Sequence, residues 1–213
     1  MRLEEAKEQI ASLDVDAQKG FTPLCPKELP IPQGDKIAEE LNQQAQFASL
    51  RIGSKDAHSR NAVWNANLDH PAQSPLSGYR NVDVRWPPHC IPGTPGFELI
   101  SGLPHPQDYD FFVWKGVEPD MHPYGACYHD LKETMSTGLI EFLKAKHIKT
   151  LLVGGLATDF CVKTTVLQLL KAGFKVIVNL GACRGLTEKT TQKAIQRMKD
   201  QGALFINSHQ ELK

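Results

Sequence analysis

The sequence lacks most of the features that mark a specialised protein. It has no surplus of either charge, since 24 Lys+Arg stand against 24 Asp+Glu. Without a basic surplus there is no electrostatic ground to expect nucleic acid or an anionic membrane as the main partner. No apolar run approaches the roughly 20 residues that a membrane helix needs. The first ten residues, MRLEEAKEQI, are charged throughout and hold no apolar stretch of a secretory signal, so the expected location is the cytoplasm. The cysteines Cys25, Cys90, Cys127, Cys161 and Cys183 are odd in number, widely spaced and without a CxxC pair. They make a poor disulfide framework and a poor structural zinc site, and they fit a reducing compartment. P-loop, GxGxxG, GxSxG, HExxH and EF-hand patterns are all missing. So are internal repeats and low-complexity tracts.

What is present is a globular balance: 213 residues, 41% hydrophobic and 23% charged. That length can bury one core, and a single domain over residues 1–213 is expected. The second half alternates between short apolar runs and helical periodicity. DFFVW (110–114), TLLVG (150–154), KVIVNL (175–180) and ALFI (203–206) read as strands. Helices are predicted over 130–147, over 159–172 with Gly173 ending it, and over 187–201 with Thr187 as N-cap. Strands separated by helices of this length indicate βαβ units, a parallel sheet and the α/β class. In the first half, SLDVDA (12–17) and SLRIGSK (49–55) read as strands around a helix at 35–46, although the first is polar for a central strand. Residues 59–96 are rich in Pro, Gly, Asn and Ser and show little periodicity, so a long functional loop is expected over about 56–96.

Ligands of open parallel sheets bind beyond the C-terminal strand ends, and four segments fall there. The most informative is Gly154-Gly155-Leu156-Ala157-Thr158-Asp159-Phe160-Cys161-Val162. Thr158 or Asp159 capping a helix puts Cys161 in its first turn, where the helix dipole favours the thiolate and free N–H groups can face an oxyanion. A buried, inert core cysteine is the competing reading. A thiol nucleophile needs a base, and an amide leaving group needs a proton. Asp16 and Lys115, each ending a strand, can supply these. Asp14 competes with Asp16, because strand alternation sends both to one face. Asp56, His58 and His89 make an N/N/O set that suits zinc, iron or manganese. The remaining histidines, His70, His105, His122, His129, His147 and His209, read mostly as ordinary surface or loop residues.

Together these segments resemble the nicotinamidase branch of the isochorismatase-like cysteine hydrolases, in the family's order and over nearly the whole chain. VDAQKGF is similar to V-D-x-Q-x-x-F, KDAH to the D-x-H metal motif, and GGLATDFCV to G-(V/I/L)-A-T-D-x-C-V. WPPHCIPGTPG resembles the stretch with the third metal ligand, and WKG resembles the one with the catalytic lysine. The sequence departs from the family's pattern at Gly20, where Asp is usual, and at Ala57, where an aromatic is usual. It departs again at Trp64, where some relatives carry an extra histidine. The segment Gly116–Tyr128 is only loosely similar.

The resemblance implies a three-layer α/β/α fold with a mainly parallel sheet. It implies Cys161 as nucleophile, Asp16 as acid/base and Lys115 as its partner. The Leu156–Ala157 peptide is cis in relatives, and the Ala157 and Cys161 N–H groups form the oxyanion hole. Asp56, His58 and His89 hold one divalent metal ion, zinc first, with iron or manganese as alternatives, and that ion binds the pyridine nitrogen. Phe21, Trp86, Tyr124 and Leu156 surround the substrate ring. The implied reaction is deamidation of nicotinamide or pyrazinamide through a thioester, with a place in pyridine nucleotide biosynthesis and NAD salvage. The expected partner is a small molecule, with a second copy of the chain as a further candidate, and neither nucleic acid nor membrane. Two alternatives stand beside this reading. One is a hydrolase of another small amide or of an isochorismatase-type substrate. The other is a catalytically silent binding protein of the same fold.

Overall fold

The computed structural model describes residues 1–213. Six strands form one sheet: β1 (Ile10–Val15), β2 (Leu50–Asp56), β3 (Phe111–Lys115), β4 (Thr150–Leu156), β5 (Lys175–Arg184) and β6 (Leu204–Ile206). Their order is β3-β2-β1-β4-β5-β6, and every pairing is parallel. The expected strands are therefore all present, with β4 and β5 running further than their apolar runs. The order reverses between β1 and β4, and in such sheets the crevice at that reversal is where ligands bind.

Strand alternation divides β1 between two layers. Ala11, Leu13 and Val15 enter the larger core with Leu151, Val153, Val176 and Val178. That face is covered by α2 (Leu139–Ala145), α3 (Lys163–Lys171) and α4 (Glu188–Asp200) through Leu143, Val166, Leu169 and Met198. The opposite face carries α1 (Ala38–Ala45), whose Leu41 packs with Ala182 and Leu156. Helices on both faces give the three layers. No helix is long and apolar enough to cross a membrane.

The polarity of β1 has a structural explanation. Every residue of the strand is buried, and both of its polar side chains find a partner. Ser12 Oγ accepts from Gln44 Nε2 of α1 at 3.1 Å, and Asp14 pairs with Arg51 at 2.7 Å. Most buried polar groups are satisfied in this way.

Helix 130–147 is a correction: only Leu139–Ala145 is helical. The Asp130 carboxylate accepts the N–H groups of Thr134 (2.8 Å) and Met135 (2.9 Å), which holds residues 130–135 in a turn that competes with helix. Gly138, at φ 85°, then sets the helix start. The helix expected over 35–46 begins only at Ala38, after a 3₁₀ turn at Gly34–Lys36. At the other end of the chain Thr187 caps α4 as expected, its side chain accepting from Thr190 N. The long connection between β2 and β3 has no helix longer than one 3₁₀ turn. It is pinned by isolated bridges at Asn65–Trp86, Pro75–Val84 and Asn81–Met121.

Candidate active site

The chain after β4 makes one π-helical turn, Thr158–Val162, before α3. Cys161 thus lies at the start of a helix, but neither Thr158 nor Asp159 caps it, and the N-cap position is Ala157. The Asp159 carboxylate instead accepts from Leu186 N at 3.0 Å and from the Thr190 hydroxyl, which ties the turn to α4. π-turns of this kind recur at functional sites. The Leu156–Ala157 peptide is cis. Among the backbone hydrogen bonds outside helices and strands none is donated by Ala157. Ala157 and Cys161 both line the same cavity.

Strand ends bring the other groups to Cys161. Lys115, the last residue of β3, is fully buried. Its Nζ lies 3.8 Å from Cys161 Sγ and 3.0 Å from Asp16 Oδ2, and it also bonds Asp56. Asp16 follows β1 at φ 45°, a left-handed conformation that Asp tolerates. That turn ends the strand's alternation and separates the two aspartates. Asp14 faces Arg51 and Tyr109, whereas Asp16 accepts from Ser54 Oγ at 2.6 Å and faces Lys115. Asp16 Oδ2 has the lysine charge beside it but no aligned hydrogen bond, so its lone pairs remain open to a proton donor.

The electrostatics correct the expectation of a low-pKa thiol. Burial pushes the Cys161 thiol well above its ordinary value, and the nearby Lys115 charge only partly opposes this. Burial also raises Asp16, against Lys115 and with help from Asp56. Lys115 is held charged: burial lowers it, but Asp16 and Asp56 push it well above its usual value. The thiol therefore rests neutral beside Asp16 and the Lys115 charge, and it needs a base to become a nucleophile.

Next to this trio stand the expected metal ligands. Burial alone would raise Asp56, yet Lys115 and His58 outweigh it and hold the group as a carboxylate. Gln18 grips the Asp56 main chain twice, at 2.8 Å each way. His58 Nδ1 lies 3.2 Å from Gly116 O and His89 Nδ1 lies 2.6 Å from Pro87 O. A ring N–H donated to each carbonyl leaves both Nε2 atoms as free lone pairs, which is how metal-binding histidines are held. His58 Nε2 is buried, 3.3 Å from Asp56 Oδ2, and without a hydrogen-bond partner. Burial and the neighbouring His58 lower His89 to about 3, so it is neutral and able to ligate. The residues present therefore fit a divalent ion with N and O ligands.

His122 is a finding that the sequence reading missed. It is 4% exposed, and one ring nitrogen from each of His122, His58 and His89 lies within 4.8 Å of the other two. Its one sequence signal was its position two residues before Tyr124 in a loop aimed at the site. Trp64 is also interior, packed edge-on against His58 at 4.6 Å between ring centroids.

A small, partly open cavity reaches both groups. Phe21, Ile31, Trp86, Phe160 and Leu186 form its apolar walls, with Asp56, His89, Tyr124 and Cys161 as polar points. Phe160 crosses Trp86 edge-on at 5.0 Å. Tyr124 donates to Asp83 at 2.8 Å and accepts from Trp86 Nε1 at 3.3 Å, so it braces the Trp wall. Leu156, expected at the ring, is a correction: it does not line the cavity, and its side chain is buried in the core with Leu41 and Ala182. Cys90 Sγ is buried and not a ligand, but Cys90 O accepts from His58 N at 3.2 Å and joins the two histidine loops.

Residues 11–210 match the Isochorismatase domain family. The nicotinamidase of Acinetobacter baylyi is 31% identical over 212 residues, covering 98% of this chain and 96% of its own. A solved nicotinamidase/pyrazinamidase of Acinetobacter baumanii superimposes with a TM-score of 0.87 at 31% identity, covering 97% of this chain and 99% of the other. A pyrazinamidase of Pyrococcus horikoshii, solved in complex with zinc, gives 0.74 at 28% identity, covering 93% and 98%.

Proposed function

The chain belongs to the isochorismatase-like hydrolases, on their nicotinamidase branch, and from that membership we propose that it deamidates nicotinamide to nicotinate and ammonia with Cys161 as nucleophile. The convergence of Asp16, Lys115 and Cys161 in one buried group, beside Asp56, His58 and His89, carries this reading.

The substrate ring fits between Trp86 and Phe21, with its carboxamide toward Cys161. Asp16 takes the thiol proton, and the Lys115 charge stabilises the ion pair that results. The sulfur–carbon bond forms as the carbonyl π pair moves onto oxygen, where the Ala157 and Cys161 N–H groups receive it. Asp16 then returns the proton to the amide nitrogen. The carbon–nitrogen bond breaks, ammonia leaves and a thioester remains. Water, losing its proton to Asp16, attacks the thioester, and the Cys161 thiolate leaves and is reprotonated. Removing one oxyanion donor typically costs about 10²–10³ in rate. Asp56, His58 and His89 would hold a divalent ion, zinc by analogy with the Pyrococcus protein, and that ion supplies a Lewis-acid anchor for the ring nitrogen. An uncharged substrate and an apolar-walled cavity also explain why the chain needs no charge surplus to attract its substrate. The product places the enzyme in pyridine nucleotide salvage, a cytoplasmic process in this reading.

The test is ammonia release from nicotinamide, with and without chelator. Wild type should turn over and lose activity when stripped, and Cys161→Ala should release none. A Cys161→Ala protein that works at the wild-type rate would falsify the assignment.

A further inference from the structure

His122 has no task in the reaction just described, yet it is built into the middle of the site. It follows β3 in the loop that also carries Pro123 and Tyr124. Its main chain is fixed: His122 N donates to Asn81 O at 2.9 Å, and Trp64 Nε1 donates to the preceding carbonyl, Met121 O, at 3.1 Å. Its ring lies over that of His58, 5.0 Å between centroids and 15° from parallel, and stands edge-on to Trp64 at 4.5 Å. Both ring nitrogens are buried and neither has a hydrogen-bond partner. An imidazole in that position leaves two polar atoms desolvated and unpaired unless something binds them. A phenyl ring would fill the same space without that cost. The nearest candidate functions are those of its neighbours, the ring nitrogens of His58 and His89.

We infer that His122 is a fourth protein ligand of the metal, completing a site of one carboxylate and three imidazoles with Asp56, His58 and His89. The inference rests on the metal reading proposed above and adds to it an arm from a different loop. Three nitrogen donors and one oxygen donor favour borderline ions such as zinc, iron and cobalt over magnesium or calcium. Four protein ligands still leave positions open for water or a substrate nitrogen. The arm also ties metal binding to the catalytic loop, because Pro123 O accepts from Lys115 Nζ at 3.4 Å and Tyr124 braces Trp86. Unlike His58 and His89, His122 has no carbonyl to orient its second nitrogen, so its contribution to affinity should be the smallest of the three histidines.

The experiment uses full-length protein stripped of metal and titrated with Co²⁺, read by visible absorption, with Zn²⁺ affinity measured against a chromophoric chelator. His122→Phe keeps the ring packing and removes the nitrogens. His122→Ala and His58→Ala serve as companions, and thermal melting of the stripped proteins checks folding. The expected result is one Co²⁺ per wild-type chain. His122→Phe should bind about tenfold or more weakly, with an altered Co²⁺ spectrum, and His58→Ala should lose more. Wild-type affinity and spectrum in His122→Phe, with His58→Ala impaired, overturn the role of His122 and leave the three-ligand reading standing. No Co²⁺ or Zn²⁺ binding by wild type overturns both.

Discussion

Asp14 and Asp16 lie two residues apart and are both buried, but their partners differ. Asp14 is an ion-pair residue held by Arg51 and by the Tyr109 hydroxyl at 2.9 Å. Arg51→Met would leave that carboxylate without its cation. Breaking a buried pair from one side costs about 3–5 kcal/mol, and the low end applies because Arg51 reaches partly to solvent. Urea unfolding should show this loss while turnover by the folded enzyme stays at wild type. A matching loss of kcat would mean that Asp14 also serves the chemistry. Asp16 should behave in the opposite way. Its carboxyl is raised above 3.8, chiefly by burial, and once protonated it cannot accept the thiol proton. The kcat/KM of the proposed amidase should therefore fall as pH drops through a midpoint above 3.8. An acid limb centred at or below 3.8 would contradict the base role. Alternation alone could not separate these aspartates. The left-handed turn at Asp16, which periodicity does not encode, is what turned one of them toward Lys115.

At the scale of elements, the site depends on where strands and helices stop. Gly116 follows β3 at φ 67°, and a Cβ there would come within 2.6 Å of the His58 ring. Gly116→Ala should displace His58 and lower retained metal per chain, measured by elemental analysis; unchanged metal content would show that the loop has room. The start of α2 depends on Asp130. Burial pushes this carboxyl up, but the N–H groups of Met135 and Thr134 outweigh it and hold it below 3.8. A depressed acid stabilises the fold at pH above its unfolded value and loses that contribution as pH falls through the folded one. Asp130→Ala should thus cost about 1–3 kcal/mol near neutral pH, with the difference from wild type shrinking below 3.8. A difference that does not change with pH would mean the carboxylate charge is irrelevant. The apolar residues at 131–145 do carry helical spacing, and that is why the sequence reading ran the helix too far. A side chain bonding its own backbone can override such spacing, as Asp130 does here.

For the whole molecule, the all-parallel order β3-β2-β1-β4-β5-β6 sets the chemistry. β1 and β4 are neighbours at the reversal, so Asp16 and Cys161 meet although they are far apart in sequence. β2 and β3 flank them and deliver Asp56 and Lys115, which are register partners. Stability comes from the strands buried on both faces. Leu151→Ala in β4, at 0% exposure, should cost about 2–5 kcal/mol. It should lower the denaturation midpoint without changing the m-value, and a loss well under 1 kcal/mol would mean that the core re-collapses around the gap. Much was already determined by the sequence: the α/β class follows from the alternation of short apolar runs with helical spacing, and its motifs single out Cys161, Asp16, Lys115, Asp56, His58 and His89 as the candidate site. These were legible because each is fixed by its neighbours in the chain. The raised thiol of Cys161, the placing of Leu156 in the core and the packing of His122 against His58 were decided only by the tertiary structure. Desolvation and the meeting of side chains on separate loops depend on what surrounds a residue in space, and His122 comes 33 residues after the nearest proposed ligand, His89, with which it shares no local pattern.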